Sequence, residues 1–268
     1  MSYLARHLAG VVGVVRRDAL LYMSYRMSFL AQCFTAFFSV TMFYYLSRLV
    51  TVEGFSSDEY FRFVVVGLVI LQAVTGTVGA LPVEVRHELV AGTFERLILS
   101  PFGAVAGVVS MIVFPFLRAA VLGLAMLVFA VIVFGLRLEW PQALLSIPVA
   151  ALGALAFTPF SLFFTAAVLA FKQAPGSGVV MALITLLAGL YFPVALLPDW
   201  IEWTSEVQPF TPALDLLRHL LVGTELAGSP WLEVLRLAGF AVVLMPVGVL
   251  TTAVALRYAQ RRGTVTEF

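Results

Sequence analysis

The chain has 268 residues, 62% of them hydrophobic and only 12% charged, with a formal net charge of +1 and a mean hydropathy of +1.03. A soluble domain carries about 25% charged residues, so the composition excludes a soluble globular enzyme and indicates one all-α polytopic membrane domain over residues 1–268. The balanced charge shows no bias toward nucleic acid, and the lone Cys33, inside an apolar run, excludes an internal disulfide and a Cys-rich metal site.

Residues 1–28 carry Arg6, Arg16, Arg17 and Arg26 without a compact apolar core and cleavage site, so no cleavable signal peptide is expected. Val11, Val12, Val15, Leu20 and Met23 recur at near-helical spacing, while Arg16, Arg17 and Asp18 interrupt them. That pattern predicts an interfacial helix lying in the headgroup plane; a frayed basic tail is the plainer alternative. A helical span needs about 20 apolar residues. Six runs qualify, at about 29–50, 61–82, 103–134, 143–171, 177–197 and 231–256. With the N-terminus inside, the inner segments hold ten basic residues: Arg6, Arg16, Arg17, Arg26, Arg86, Arg96, Lys172, Arg257, Arg261 and Arg262. The outer segments hold five: Arg48, Arg62, Arg137, Arg218 and Arg236. The basic excess places both termini in the cytoplasm of a multi-pass protein.

The first span is rich in aromatics, among them Phe34, Phe37, Phe38, Phe43, Tyr44 and Tyr45, and Tyr191 and Phe192 recur near the end of the fifth. Such faces stack on sugar rings or planar drugs; packed or lipid-facing phenylalanine is the commoner use. Phe37, Phe38 and Tyr44 are therefore candidate pathway residues. Arg118 falls within the third span, after Pro115, and an arginine at that depth is a functional candidate by default. Facing a pathway, it would meet a phosphate or carboxylate. The alternatives are a partner for a helix-end carbonyl or a shifted span boundary. Prolines at 115, 148, 159, 193 and 246 can each kink a helix.

Between the second and third spans, residues 83–101 form a charged island containing EVRHELVAGTFERLILSP. Its charges cannot sit in lipid, so it lies at a membrane face. Glu84, Glu88, Ala91 and Glu95 share one helical stripe. Gly92 and Thr93 read as a stop and restart, and Ser100–Pro101 as a further helix start. The order short helix, break, short helix gives a stiff elbow joined to two spans, with a solvated loop as the alternative.

Residues 198–230 are too polar to span and too apolar for an open loop. Trp200, Trp203 and Val207 share one face, and Asp199, Glu202 and Glu206 the other. After Pro209 and Pro212, residues 213–222 read as a second short helix, capped by Thr211 and stopped by Gly223, with Asp215 able to pair with Arg218 or His219. Two short helices dipping into the outer leaflet fit this pattern; an amphipathic loop on the surface is the alternative.

The run HELVAGTFERLILSP resembles the segment after the second span in type-2 ATP-binding-cassette transporter permeases, matching at Glu88, Gly92, Thr93, Glu95, Ser100 and Pro101. RRDALLYMSYRMSFL near the N-terminus and FPVALLPDWIEWTSEVQPFTPALDLLRHLLVG near the C-terminus are similar to the same family, in the same order. The resemblance implies that the island is a coupling helix, with Glu84 and Arg96 added to the matched residues, docking on a separate cytoplasmic ATPase. It implies a dimer of permease subunits, homo- or heteromeric, and an outer re-entrant hairpin at 198–230 gating through Pro198, Trp200, Trp203, Pro209, Pro212, Asp215 and Arg218. It also implies export across the plasma membrane, with ATP and Mg on the ATPase, no cofactor on this chain, and membrane lipid as a partner.

The residues agree with that division of labour. A phosphate-binding loop needs G-x-x-x-x-G-K-[ST], and the only lysine, Lys172, is followed by Gln173. The expected cargo is amphipathic: a lipid-linked glycan or polysaccharide, toward which the aromatic first span leans, or a drug-like amphipath. An ion-coupled secondary transporter would need a carboxylate deep in a span, and none is present. An intramembrane lipid enzyme would need convergent ionisable groups, for which Asp215, Arg218 and His219 are the one candidate cluster. His87 with Glu88, and Asp215 with His219, lack a third ligand, so neither a metal site nor intrinsic catalysis is expected.

Overall fold

The computed structural model describes residues 3–49, 55–95, 103–174, 176–226 and 228–262, with side chains from residue 10 onward. Among them there is no strand. Helix α1 (Tyr3–Ser24) breaks at Tyr25 before α2 (Arg26–Leu49). Helix α3 (Ser57–Val78) starts on a reciprocal cap, in which Ser56 Oγ accepts from the Glu59 N–H and Glu59 Oε2 accepts from the Ser56 N–H. It runs through Gly79, still in the right-handed helical region, into α4 (Ala80–Val90). Helices α5 (Ala104–Ser110) and α6 (Val113–Phe134) are likewise separated only by a tight turn. A 3-10 turn (Gln142–Leu145) leads into α7 (Ser146–Phe171). There follow α8 (Ser177–Leu187), a second 3-10 turn (Val194–Leu196), α9 (Asp199–Glu206), α10 (Phe210–Val222) and α11 (Pro230–Arg261).

Among the described residues, five stretches are long and apolar enough to cross a bilayer: Arg26–Leu49, Ser57–Val90, Ala104–Phe134, Gln142–Phe171 and Pro230–Arg261. The apolar run at 177–197 is not one long helix. Its helix α8 has 11 residues, about 16 Å at 1.5 Å per residue, against about 30 Å of hydrocarbon. The chain leaves the helix at Gly189, which takes φ 76. Apolar content alone does not distinguish a full helix from a half helix followed by irregular backbone, and here a glycine in the left-handed region ends it.

Two apolar cores lie at opposite ends of the bundle. The larger gathers buried residues of α3, α6, α7 and α10, among them Val64, Val65, Met126, Phe157, Phe210 and Leu214. The smaller, at the α4 end, joins Val14 of α1, Leu81, Val85 and Leu89 of α4, Phe94, Met111, Leu169 and Leu256. Small residues let the backbones approach where the helices cross, as membrane packing requires. A Cβ on Gly76 would lie 2.8 Å from the Ala119 Cβ, and one on Gly248 would lie 3.2 Å from Pro159 Cα. Hydroxyls add links between helices: Ser161 Oγ donates to the Thr77 carbonyl at 3.3 Å, and Thr252 Oγ1 to the Leu162 carbonyl at 3.2 Å.

At the end opposite α4, the short helix α10 is held by a buried cation. Arg218, only 3% exposed, donates from Nε to the Phe63 carbonyl at 3.2 Å and from Nη2 to the carbonyls of Gly189 and Leu190 at 3.0 and 2.9 Å. Its guanidinium sits 3.4 Å from the Phe63 ring centroid. The carbonyls left free where α8 ends thus gain a donor from another helix. Gly67 of α3 makes room for this joint, since a Cβ there would lie 2.6 Å from the Leu190 carbonyl oxygen. Gly67→Ala must displace that oxygen, at the roughly 1–3 kcal/mol typical of overpacking. A Cβ at Gly239 of α11 meets nothing within 4 Å. The expected result is a lower thermal unfolding midpoint in detergent for Gly67→Ala, and an unchanged or higher one for Gly239→Ala.

Candidate functional site

Helix α4 continues α3, so a push on it is passed along one rod. Its two faces do different work. Leu81, Val85 and Leu89 are buried in the smaller core, whereas Val83, Arg86, His87 and Val90 are exposed. Glu84 and Glu88 turn toward α1. Glu88 Oε1 forms an ion pair with Arg17 Nη1 at 3.0 Å, and Arg17 Nη2 also meets Asp18 Oδ1 at 2.8 Å. Thr93 donates its hydroxyl to Glu88 Oε2 and its backbone N–H to the Glu88 carbonyl. One carboxylate therefore ties α1, α4 and the chain after the break together.

The break itself is Gly92, with φ 67, where a Cβ would be strained. Beyond it the chain is helical again from Phe94, whose side chain is only 1% exposed and anchors the elbow in the smaller core. Glu95 is exposed. Arg96, Ser100 and Pro101 lie outside the described residues. Thr93 stands just before the second helical stretch, but its hydroxyl bonds run back to Glu88.

The charges around Glu84 are Asp18, Arg118, Arg17 and Glu88. Glu84 Oε2 and Asp18 Oδ2 are both buried without a hydrogen-bond partner. Arg118 lies over the Tyr22 ring of α1, 5.0 Å from its centroid, so it belongs to this junction. The candidate pathway aromatics lie elsewhere. Phe37 stacks on Phe129, and Tyr44 stacks on Phe134 with Phe61 edge-on. Phe38 stacks on Phe34, and both are exposed. The structure therefore brings Arg118 together with Glu84, Arg17 and Asp18, and not with Phe37, Phe38 or Tyr44.

Asp18, which interrupts the apolar spacing of α1, is buried, 8% exposed. The apolar residues Val12, Leu20 and Met23 point outward, as they would toward lipid. The sequence shows Asp18 only as a break, with Arg16 and Arg17, in the apolar spacing, because nothing in α1 signals a carboxylate-bearing helix some 70 positions away.

Of the second predicted constellation, Pro198 precedes α9, whose Trp200 and Trp203 are exposed, with Trp203 Nε1 donating to the Trp200 carbonyl at 2.9 Å. Pro209 precedes α10, and Pro212 is buried within it. Thr211 does not cap this helix: α10 begins at Phe210, and the Thr211 hydroxyl is buried without a partner. Nor is Asp215 in a salt bridge. Arg218 is turned onto the three carbonyls described above, and His219 Nδ1 lies 2.8 Å from the Thr224 carbonyl. Helical i, i+3 spacing permits a pair but does not compel it; helix-end carbonyls in an apolar setting are the stronger demand on a guanidinium. Gly223 does end α10, with φ 74. Among the described residues no three His, Cys, Asp or Glu side chains group to hold a metal.

Burial raises the Asp18 carboxyl above its ordinary 3.8; the Arg17 hydrogen bond and charge pull it back down, and the Glu88 charge adds to the rise. A carboxyl whose folded value is raised destabilises the fold as it ionises, so the penalty grows as pH rises above 3.8 through the folded value. Asp18→Asn keeps an acceptor for Arg17 and removes the ionisation. The unfolding midpoint of the variant minus that of the wild type is expected to increase from pH 4 to pH 8. A difference independent of pH would contradict a buried, strained Asp18.

A search of curated proteins returns no match. The family model described as ABC-2 type transporter matches residues 14–222, from α1 through the end of α10. That span is well over half of the chain and includes both the elbow and the short-helix pair, so this membrane protein belongs to the ABC-2 type transporter family.

Proposed function

We propose that the chain is the transmembrane permease subunit of an ATP-driven exporter of an amphipathic substrate in the plasma membrane, with both termini cytoplasmic. The observation that carries the reading is the Arg17–Glu88–Thr93 clamp. It makes α1, α4 and the elbow one body, continuous with α3. A cytoplasmic ATPase pressing on that body would move the interfacial helix and the second span together. The face available to it is His87, Val90 and Glu95, all exposed, while Glu88 fixes the helix from behind. Six crossings follow if α8 and the irregular chain after it make the fifth. Helices α9 and α10 then form the outer re-entrant hairpin, fastened by Arg218. The permease works as a dimer, with ATP and Mg bound by the partner ATPase. A lipid-linked glycan and a drug-like amphipath both suit the apolar interior.

Two experiments test this reading. In the full complex, Arg17→Ala and Glu88→Ala should each lower transport per ATP hydrolysed. The double variant should be no worse than the poorer single one, since residues joined by one interaction are non-additive by about 0.5–3 kcal/mol. Additive losses would show that the pair does not transmit the stroke. Glu95→Arg, on the exposed face, should instead weaken ATPase association several-fold, read by co-purification, while leaving the unfolding midpoint of the permease unchanged. Unaltered association and transport in Glu95→Arg would remove the elbow from the docking surface.

A further inference from the structure

The face of α4 that carries Arg86 also forms one wall of a groove that the coupling assignment leaves without a role. Its volume is about 330 Å³, within the roughly 300–1,000 Å³ of small-molecule sites. Val83 and Arg86 line it from α4, Phe164 from α7, and Ser177, Gly178 and Met181 from α8. Thr75 and Gly79 continue the stripe of Val83 and Arg86 back along α3 at steps of three or four residues, the spacing of one helical face. The groove is therefore an apolar trough running along the rod from α3 into α4, with a single cation toward its α4 end.

Two features specify the occupant. The lining contains one charged side chain, Arg86, and no carboxylate. Arg86 is exposed and makes no ion pair or hydrogen bond with any described residue, in contrast to Arg17, which is fully engaged a helix-width away on the opposite face of α4. The walls below Arg86 offer little but hydrocarbon and aromatic surface. A molecule that fits both has a negative head and an apolar tail. A guanidinium is suited to phosphate oxygens, which it can grip two at a time. The α4 end also lies where the island of charge must meet the membrane face, the depth at which basic side chains meet anionic headgroups.

We propose that this groove binds an anionic phospholipid, its phosphate on Arg86 and its acyl chain along Val83, Phe164 and Met181. The lipid joins α4 to α7 and α8 from the side opposite the Arg17–Glu88 pair, so the rod is braced on both faces. The site is independent of cargo identity and of transport direction.

The test uses the full chain in phosphatidylcholine nanodiscs doped with a phosphatidylglycerol carrying a photoreactive group in its acyl chain, or with the equivalent phosphatidylcholine probe. Cross-linked peptides are located by mass spectrometry. Phosphatidylglycerol is expected to label the peptides containing Val83, Phe164 or Met181 at least five-fold more than phosphatidylcholine does. Arg86→Ala should bring that ratio to about one, and Arg86→Lys should keep most of it. Gly178→Leu fills the groove from a position where a Cβ meets nothing within 4 Å, so it should abolish the excess with Arg86 intact. Equal labelling by the two probes would overturn the proposal, as would an excess that survives both Arg86→Ala and Gly178→Leu. Because the readout needs no ATPase and no transport, loss of labelling and loss of coupling are separable results.

Discussion

Hydrocarbon supplies no hydrogen bonds, so each place where a helix ends inside the bundle needs a partner from elsewhere in the chain. This constraint organises the end of the molecule opposite α4. Helix α8 stops after 11 residues, and the carbonyls of Gly189 and Leu190 are answered by Arg218 from α10. The next carbonyl, that of Tyr191, accepts from the Tyr60 hydroxyl at 3.2 Å. At the far end of α10, the Leu221 carbonyl accepts from the Glu139 N–H at 3.0 Å. A buried guanidinium is costly when alone. Three carbonyls and the face of Phe63 make it the joint on which α3, α8 and α10 meet.

The α4 end obeys the opposite logic. There the charges pair with one another, and the two sides of α4 are electrically distinct. Toward α1 lie Glu84, Glu88, Asp18, Arg17 and Arg118, partly neutralised but with two carboxylate oxygens left without hydrogen bonds. Toward α7 and α8 lies Arg86 over apolar surface. Buried carboxylate oxygens without donors are energetically expensive, so this junction is set closer to rearrangement than the Arg218 joint, where the guanidinium donates to three carbonyls. Under the proposed coupling role, a clamp of this kind would serve α4 better than the rigid joint at the other end.

The sequence made the membrane class, the break at Gly92 and the pair of short helices legible, because each leaves a local signal. Apolar length signals a span, Gly92 a break, and Gly223 a stop. Three features were not legible. The truncation of α8 rests on the backbone conformation of Gly189 and not on any loss of hydrophobicity. The burial of Asp18 rests on a contact with residues some 70 positions away. The target of Arg218 rests on Gly67 lacking a side chain, which lets the Leu190 carbonyl approach α3. In the case of Arg118, sequence depth left a pathway position, a helix-end partner and a shifted span boundary open, and its ring contact is with Tyr22. Local periodicity cannot report which distant helix a side chain meets.

The two ends are joined by the long packing of α7 against α11, the most extensive helix pair among the described residues. Phe157 belongs to the larger core and Leu162 to the smaller. Between them Pro159 removes one backbone donor from α7 and stands 3.2 Å from where a Cβ on Gly248 would be. The helix is thus weakened at the boundary between the cores, and it is pinned there by close approach to α11 and by the Thr252 hydroxyl on the Leu162 carbonyl. Bending at this level would let the α4 end tilt while the Arg218 joint keeps its geometry. The opposite arrangement, a stiff α7 with a pliable Arg218 joint, would require breaking three charge-assisted hydrogen bonds at once. On relative cost, any such bending would move the α4 half and leave the other half anchored.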